Sequence, residues 1–129
     1  MISYHNIIMV AGDFNAKLGQ DEGFTHSFHR KTNRNGNLLA EMMTEHNFIC
    51  LNTKFEKKDG KKWTFKYPNG DKAQIDFILI NRKWSNGATN CESYNSFCYV
   101  GSDHRIVSAH VHLSLRANKI KTSRPTRYG

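Results

Sequence analysis

Three short stretches of the chain put charged or amide side chains inside otherwise apolar patterns. The first is Gly12-Asp13-Phe14-Asn15, at the end of an apolar run. Residues two apart on an extended chain share a face, so the Asp13 carboxylate and the Asn15 amide project into the same space. An acceptor beside a donor is what orienting a water and holding a phosphate oxygen requires. An ordinary Asp/Asn turn after a strand has the same composition. The second stretch is Gln74-Ile75-Asp76-Phe77-Ile78-Leu79-Ile80. A carboxylate in so apolar a strand is costly unless paired; an inward-pointing charge on an edge strand is the alternative. The third is Ser102-Asp103-His104-Arg105, just before the last apolar pattern. Neighbouring side chains of an extended chain point to opposite sides, so Asp103 and His104 are not expected to pair with each other. His104 can instead meet Asp76 across a sheet, where the carboxylate would fix the imidazole tautomer. Asp103 is then left for a metal-water network. A loop of ordinary polar residues is the competing description of this third stretch.

These groups need elements to carry them. Residues 6–11 read as a buried strand closed by Gly12. The polar stretch 16–36, with Gly19, Gly23, Asn33, Asn35 and Gly36, reads as a long surface loop carrying His26, His29, Arg30, Lys31 and Arg34. Asn37 is a candidate cap for a helix running to about His46, with Leu38, Leu39, Met42 and Met43 as its apolar face. Phe48 to Leu51 is a second short strand. Trp63–Tyr67 and Ala73–Ile80 flank Pro68-Asn69-Gly70-Asp71, a strong hairpin signal. Residues 88–100 contain an irregular strand. From Arg105 to Leu115 the chain alternates, with Val107, Ala109, Val111, Leu113 and Leu115 facing one way and His110 and His112 facing solvent. From Arg116 onward it is basic and has no apolar pattern, as a tail or linker would. The organisation is therefore one domain over 1–115 followed by a basic tail over 116–129. Its class is α/β and mostly antiparallel, with one clear helix. Several strands are apolar on both faces, which asks for cover on both sides of the sheet.

The chain has 129 residues and is 38% hydrophobic and 12% aromatic, enough for a packed core and unlike a disordered segment. Its apolar runs are too short to span a bilayer or to act as a secretory signal, so no membrane partner is expected. Three cysteines without a Cys-x-x-Cys pair argue against a disulfide framework and fit a reducing, intracellular setting. No Cys/His pair has zinc-finger spacing. Lysine and arginine outnumber acids 19 to 11, a net charge of +8 that suits a polyanionic partner without choosing among DNA, RNA and lipid.

Taken in order, Gly12-Asp13-Phe14-Asn15, Trp63-Thr64-Phe65, Ile75-Asp76-Phe77-Ile78-Leu79 and Ser102-Asp103-His104 resemble the late motifs of the endonuclease/exonuclease/phosphatase family. Gly12 to Gly19, G-D-F-N-A-K-L-G, is also similar to the endonucleases of non-LTR retrotransposons and to craniofacial-development-protein-2-like sequences. Each motif is short, but four in register, spread from about Ile7 to Leu115, make the match specific. The resemblance implies a four-layer, DNase I-like α/β sandwich of which residues 1–115 would be the C-terminal half. The N-terminal half would supply an Asn, a metal-binding Glu and usually a Tyr. It further implies a magnesium (or manganese) ion and hydrolysis of phosphate esters. Asp13 would orient or deprotonate the attacking water and share the metal with Asp103. Asn15 would hold the scissile phosphate. His104, polarised by Asp76, would bind a phosphate oxygen, and Thr64 and Ser102 would touch the substrate.

The function expected is that of a fragment of a metal-dependent DNA endonuclease from a retroelement. Its partners would be DNA, the missing half-domain and a downstream reverse transcriptase, and its location nuclear. The competing readings are a phosphatase of the same fold and a non-catalytic nucleic-acid-binding remnant held by charge.

Overall fold

The computed structural model describes residues 6–95 and 103–113. At its centre lies an antiparallel sheet of β1 (Met9–Asp13), β5 (Asp76–Asn81) and β2 (Phe48–Cys50), in the order β1-β5-β2. The apolar run of β5 belongs at the middle of a sheet: Phe77, Leu79 and Ile80 are buried, and both flanks are hydrogen-bonded. β1 pairs with it from Met9↔Ile80 to Asp13↔Asp76. The strand expected over residues 6–11 thus sits further along and takes Asp13 into the ladder. It is also not buried. All five of its residues are exposed, with Met9 at 46% and Val10 at 37%. An apolar run shows that a strand wants cover, not that the described chain provides it.

The helix α1 (Arg34–His46) packs Leu39 and Met43 against Ala16, Leu18, Cys50, Phe77 and Leu79. Met42 joins at the margin of this cluster, whereas Leu38 points to solvent. Its cap is Asn33, whose side chain accepts from the Gly36 N–H, and not Asn37. The apolar periodicity starts only at Leu38, so the first turn of the helix carries no apolar signal. Asn47 ends it in a left-handed conformation (φ 62°) with its N–H on the Met43 carbonyl.

Residues 16–36 are less of a free loop than their polarity suggests. Ala16, Leu18 and Ser27 are buried, Gly19 bridges His29, and Gln20–Glu22 form one 3-10 turn. Ser27 Oγ and the Phe28 N–H both donate to the buried Gln74 Oε1, and the Gln74 N–H donates to His29 Nε2 at 2.9 Å. Burial first, and then the nearby Lys17 charge, pushes the His29 pKa down to about 4. The Gln74 bond uses the Nε2 lone pair, so in this arrangement Nε2 carries no proton.

The hairpin forms as expected between β3 (Phe65–Lys66) and β4 (Lys72–Ala73), with Gly70 at φ 96° inside the turn. The strand expected over 73–80 is broken at Gln74-Ile75 into β4 and β5. A second antiparallel pair joins β6 (Ala88–Tyr94) to β7 (Ile106–Val111), with a register shift between Ala88 and Asn90. Val107, Ala109 and Val111 face a second cluster of Leu51, Ile80, Ala88 and Cys91, while His110 and His112 are exposed. Leu113 breaks the expected alternation and is exposed; Leu115 lies outside the described residues. Burial raises the free thiols of Cys50 and Cys91 to about 11 and about 12, so both stay protonated near neutral pH. No helix among the described residues is long and apolar enough to cross a membrane.

Candidate active site

The ladder between β1 and β5 puts two carboxylates opposite each other at its last rung, Asp13 against Asp76. One more backbone bond, from the Phe14 N–H to the Ile75 carbonyl at 3.0 Å, closes this end. His104 arrives from a distant part of the chain. Residues 103–105 run alongside β3 through a single bridge: Phe65 bridges His104, Lys66 N–H donates to the Asp103 carbonyl, and Arg105 N–H donates to the Thr64 carbonyl. The imidazole packs on Phe65 with ring centroids 4.7 Å apart. Its Nδ1 lies 2.9 Å from Asp76 Oδ2 and its Nε2 3.7 Å from Asp13 Oδ2.

These distances assign roles. A carboxylate only accepts, so Nδ1–H donates to Asp76 and the ring is held with Nε2 turned toward Asp13. At 3.7 Å the Nε2–Asp13 approach is an electrostatic contact, longer than a hydrogen bond. Asp76 is the sheltered partner, with 17% of its side chain exposed against 47% for Asp13. Among the described residues, Asp13, Asp76 and His104 form one group whose ligand atoms lie within 4.8 Å of one another. Two carboxylate oxygens and one imidazole nitrogen suit a divalent cation that keeps several waters. Asp103 lies outside that group. It is exposed, and its carbonyl takes the Lys66 N–H.

Asn15 is exposed two residues beyond Asp13, in a left-handed conformation with φ 47°. Its N–H donates to Asp13 Oδ1 at 2.8 Å. Thr64, expected to touch substrate, is fully buried. Its hydroxyl oxygen accepts from the backbone N–H groups of Ile75 and Asp76, at 3.0 and 3.1 Å, where the strand breaks between β4 and β5. Thr64 therefore positions Asp76. Ser102, the other expected substrate contact, lies outside the described residues.

Asn52, which the sequence pattern did not single out, completes the mounting of Asp76. Its Nδ2 donates to the Asp76 carbonyl at 3.0 Å and its Oδ1 accepts from the Ile78 N–H at 2.8 Å. The amide continues β2 alongside β5 after the backbone has turned away. A buried side chain doing a strand's hydrogen bonding has no signature in a single sequence, where Leu51-Asn52-Thr53 looks like any loop entry.

The family model described as endonuclease-reverse transcriptase matches residues 2–108, an extent that includes all four motifs and the whole site. The chain belongs to this family. Membership accounts for the order of the motifs and makes a nucleic acid the substrate class, with nuclease chemistry of a family that generally depends on a divalent metal. Comparison with curated proteins and with solved structures gives no match.

Proposed function

We propose that the chain is the catalytic part of a magnesium-dependent DNA endonuclease of retroelement origin that acts in the nucleus. The observation that carries the reading is the row Asp13–His104–Asp76, assembled from three separate segments at one end of the central sheet. Asp76 holds the imidazole, which in its protonated form donates Nδ1–H to Asp76 and Nε2–H to a non-bridging phosphate oxygen. Asp13 accepts a proton from, or orients, the water that adds to phosphorus, and one phosphorus–oxygen ester bond breaks as the leaving oxygen takes up a proton. The Asn15 amide donates to the same phosphate, stabilising charge where it builds. A divalent ion held at Asp13 and Asp76 would neutralise phosphate charge and lower the pKa of a bound water. The net charge of +8 adds the salt-dependent attraction to a polyanion.

The exposed β1 supports one further part of the reading. A complementary N-terminal half-domain would cover Met9 and Val10, complete a four-layer sandwich and add a metal carboxylate, with a reverse transcriptase downstream. The test is nicking of supercoiled plasmid in magnesium. The chain alone is expected to nick weakly, and an N-terminal half from a related endonuclease to restore nicking that stops with EDTA and with His104→Ala. Nicking undiminished in His104→Ala would sink the mechanism. DNA binding with no nicking under either condition would favour a non-catalytic binding remnant.

A further inference from the structure

Asn15 poses a positioning problem. Its left-handed backbone is one that asparagine tolerates but that must be imposed by its surroundings. The Asp13 carboxylate restrains only the N–H side. The other side is gripped by the turn Asn33-Arg34-Asn35-Gly36 that opens α1. Asn35 Nδ2 donates to the Asn15 carbonyl at 2.9 Å. Asn33 Oδ1 accepts from both the Lys17 N–H, at 3.0 Å, and the Gly36 N–H, at 2.8 Å, while its own N–H donates to the Lys17 carbonyl at 3.2 Å. The approach is so close that a Cβ on Gly36 would stand 2.0 Å from the Lys17 carbonyl oxygen. Between the two grips, Ala16 is anchored in the core.

We infer that this turn positions the catalytic loop, and that Asn35, acting through the Asn15 carbonyl, sets the direction in which the Asn15 amide meets the scissile phosphate. The inference rests on the nuclease reading for its consequence, but not for its geometry. Asn35 and Asn15 are both exposed, so the bond between them contributes little to the stability of the fold. Orientation is far less forgiving, since a displacement of about 1 Å at a reacting group costs on the order of 10²-fold in rate. A merely structural residue would show the opposite balance.

The experiment compares Asn35→Ala and Asn35→Asp in the full chain with Asn37→Ala, an exposed asparagine in the first turn of the same helix. In both Asn35 variants the Asn15 backbone and side-chain NMR signals should move away from their left-handed values, with melting nearly unchanged. Magnesium-induced shifts of the His104 ring should also persist, because Asp13 and Asp76 keep their places. In the nicking assay kcat should fall about tenfold to 10²-fold, with KM for DNA within about twofold because affinity comes mainly from charge. Asn37→Ala should change none of these. Unmoved Asn15 signals in Asn35→Ala overturn the inference whatever the nicking rate. A loss of kcat matched by lost melting stability and lost magnesium response overturns it too, as the role would be structural. Moved Asn15 signals in a chain that nicks under no condition would uphold the positioning and overturn the nuclease reading alone.

Discussion

Asp13 and Asp76 occupy opposite positions on one rung of the same ladder, yet the molecule treats them differently. Asp76 sits on the central strand. Thr64 fixes its N–H, Asn52 fixes its carbonyl, and its side chain faces His104 at 2.9 Å. Asp13 sits on an exposed edge strand, and among the described residues its carboxylate meets the Asn15 N–H and, at longer range, His104. The sheltered carboxylate has the properties of an orienting group, which must not move. The open one has those of a group that meets water, metal and substrate. Antiparallel pairing gives both their separation at no extra cost, and the asymmetry comes from what flanks each strand.

The sharpest way to break the comparison is to neutralise each carboxylate in turn. Asp13→Asn and Asp76→Asn should both lower nicking by about 10²-fold or more, in the range seen when one preorganised electrostatic group is removed. Only the second should also destabilise the fold, by about 1.5 kcal/mol in urea denaturation, because it loses a sheltered charge-assisted hydrogen bond. Asp13→Asn should stay within about 0.5 kcal/mol of the parent, as surface substitutions do. Equal stability losses would mean that the edge strand is as firmly built in as the central one.

Thr64→Val tests the mounting of Asp76. The change keeps the shape but leaves two backbone N–H groups without their acceptor, and should cost about 2–3 kcal/mol. Thr64→Ser retains the oxygen and should recover most of that loss. If valine were tolerated, the break between β4 and β5 would not depend on the hydroxyl.

The smallest effect expected is a pH dependence from His29, which couples the 16–36 segment to the hairpin. Its pKa is lowered from 6.5 to about 4 in the fold, so the folded state favours the neutral ring. The unfolded chain then binds more protons between those values, and the stability contributed by the neutral ring is present above pH 6.5 and lost as the pH falls toward 4. Melting temperature followed across that window should drop more steeply for the parent than for His29→Gln. Parallel curves would remove His29 from the account.

The chemistry was the most legible part of this chain. A carboxylate inside Ile75-Asp76-Phe77 needs a partner on energetic grounds alone, and a histidine at the start of another strand is a partner of the right type. The hairpin at Pro68–Asp71, the outward His110 and His112 and the α-helix ending at His46 also follow from local rules, because turn geometry and side-chain alternation depend on neighbours in sequence. Tertiary structure decided the rest. Leu51-Asn52-Thr53 gives no sign that Asn52 will act as a strand, since its partners are 24 and 26 residues away. Thr64 gives no sign in the sequence that the fold will bury it with its hydroxyl on the Ile75 and Asp76 N–H groups. The exposure of β1 is the clearest case. Met9 to Ala11 are apolar enough to ask for cover, but whether a strand lies at the edge or the middle of a sheet depends on which segments pair beside it. That is a property of the assembled backbone, and no residue of the strand encodes it alone.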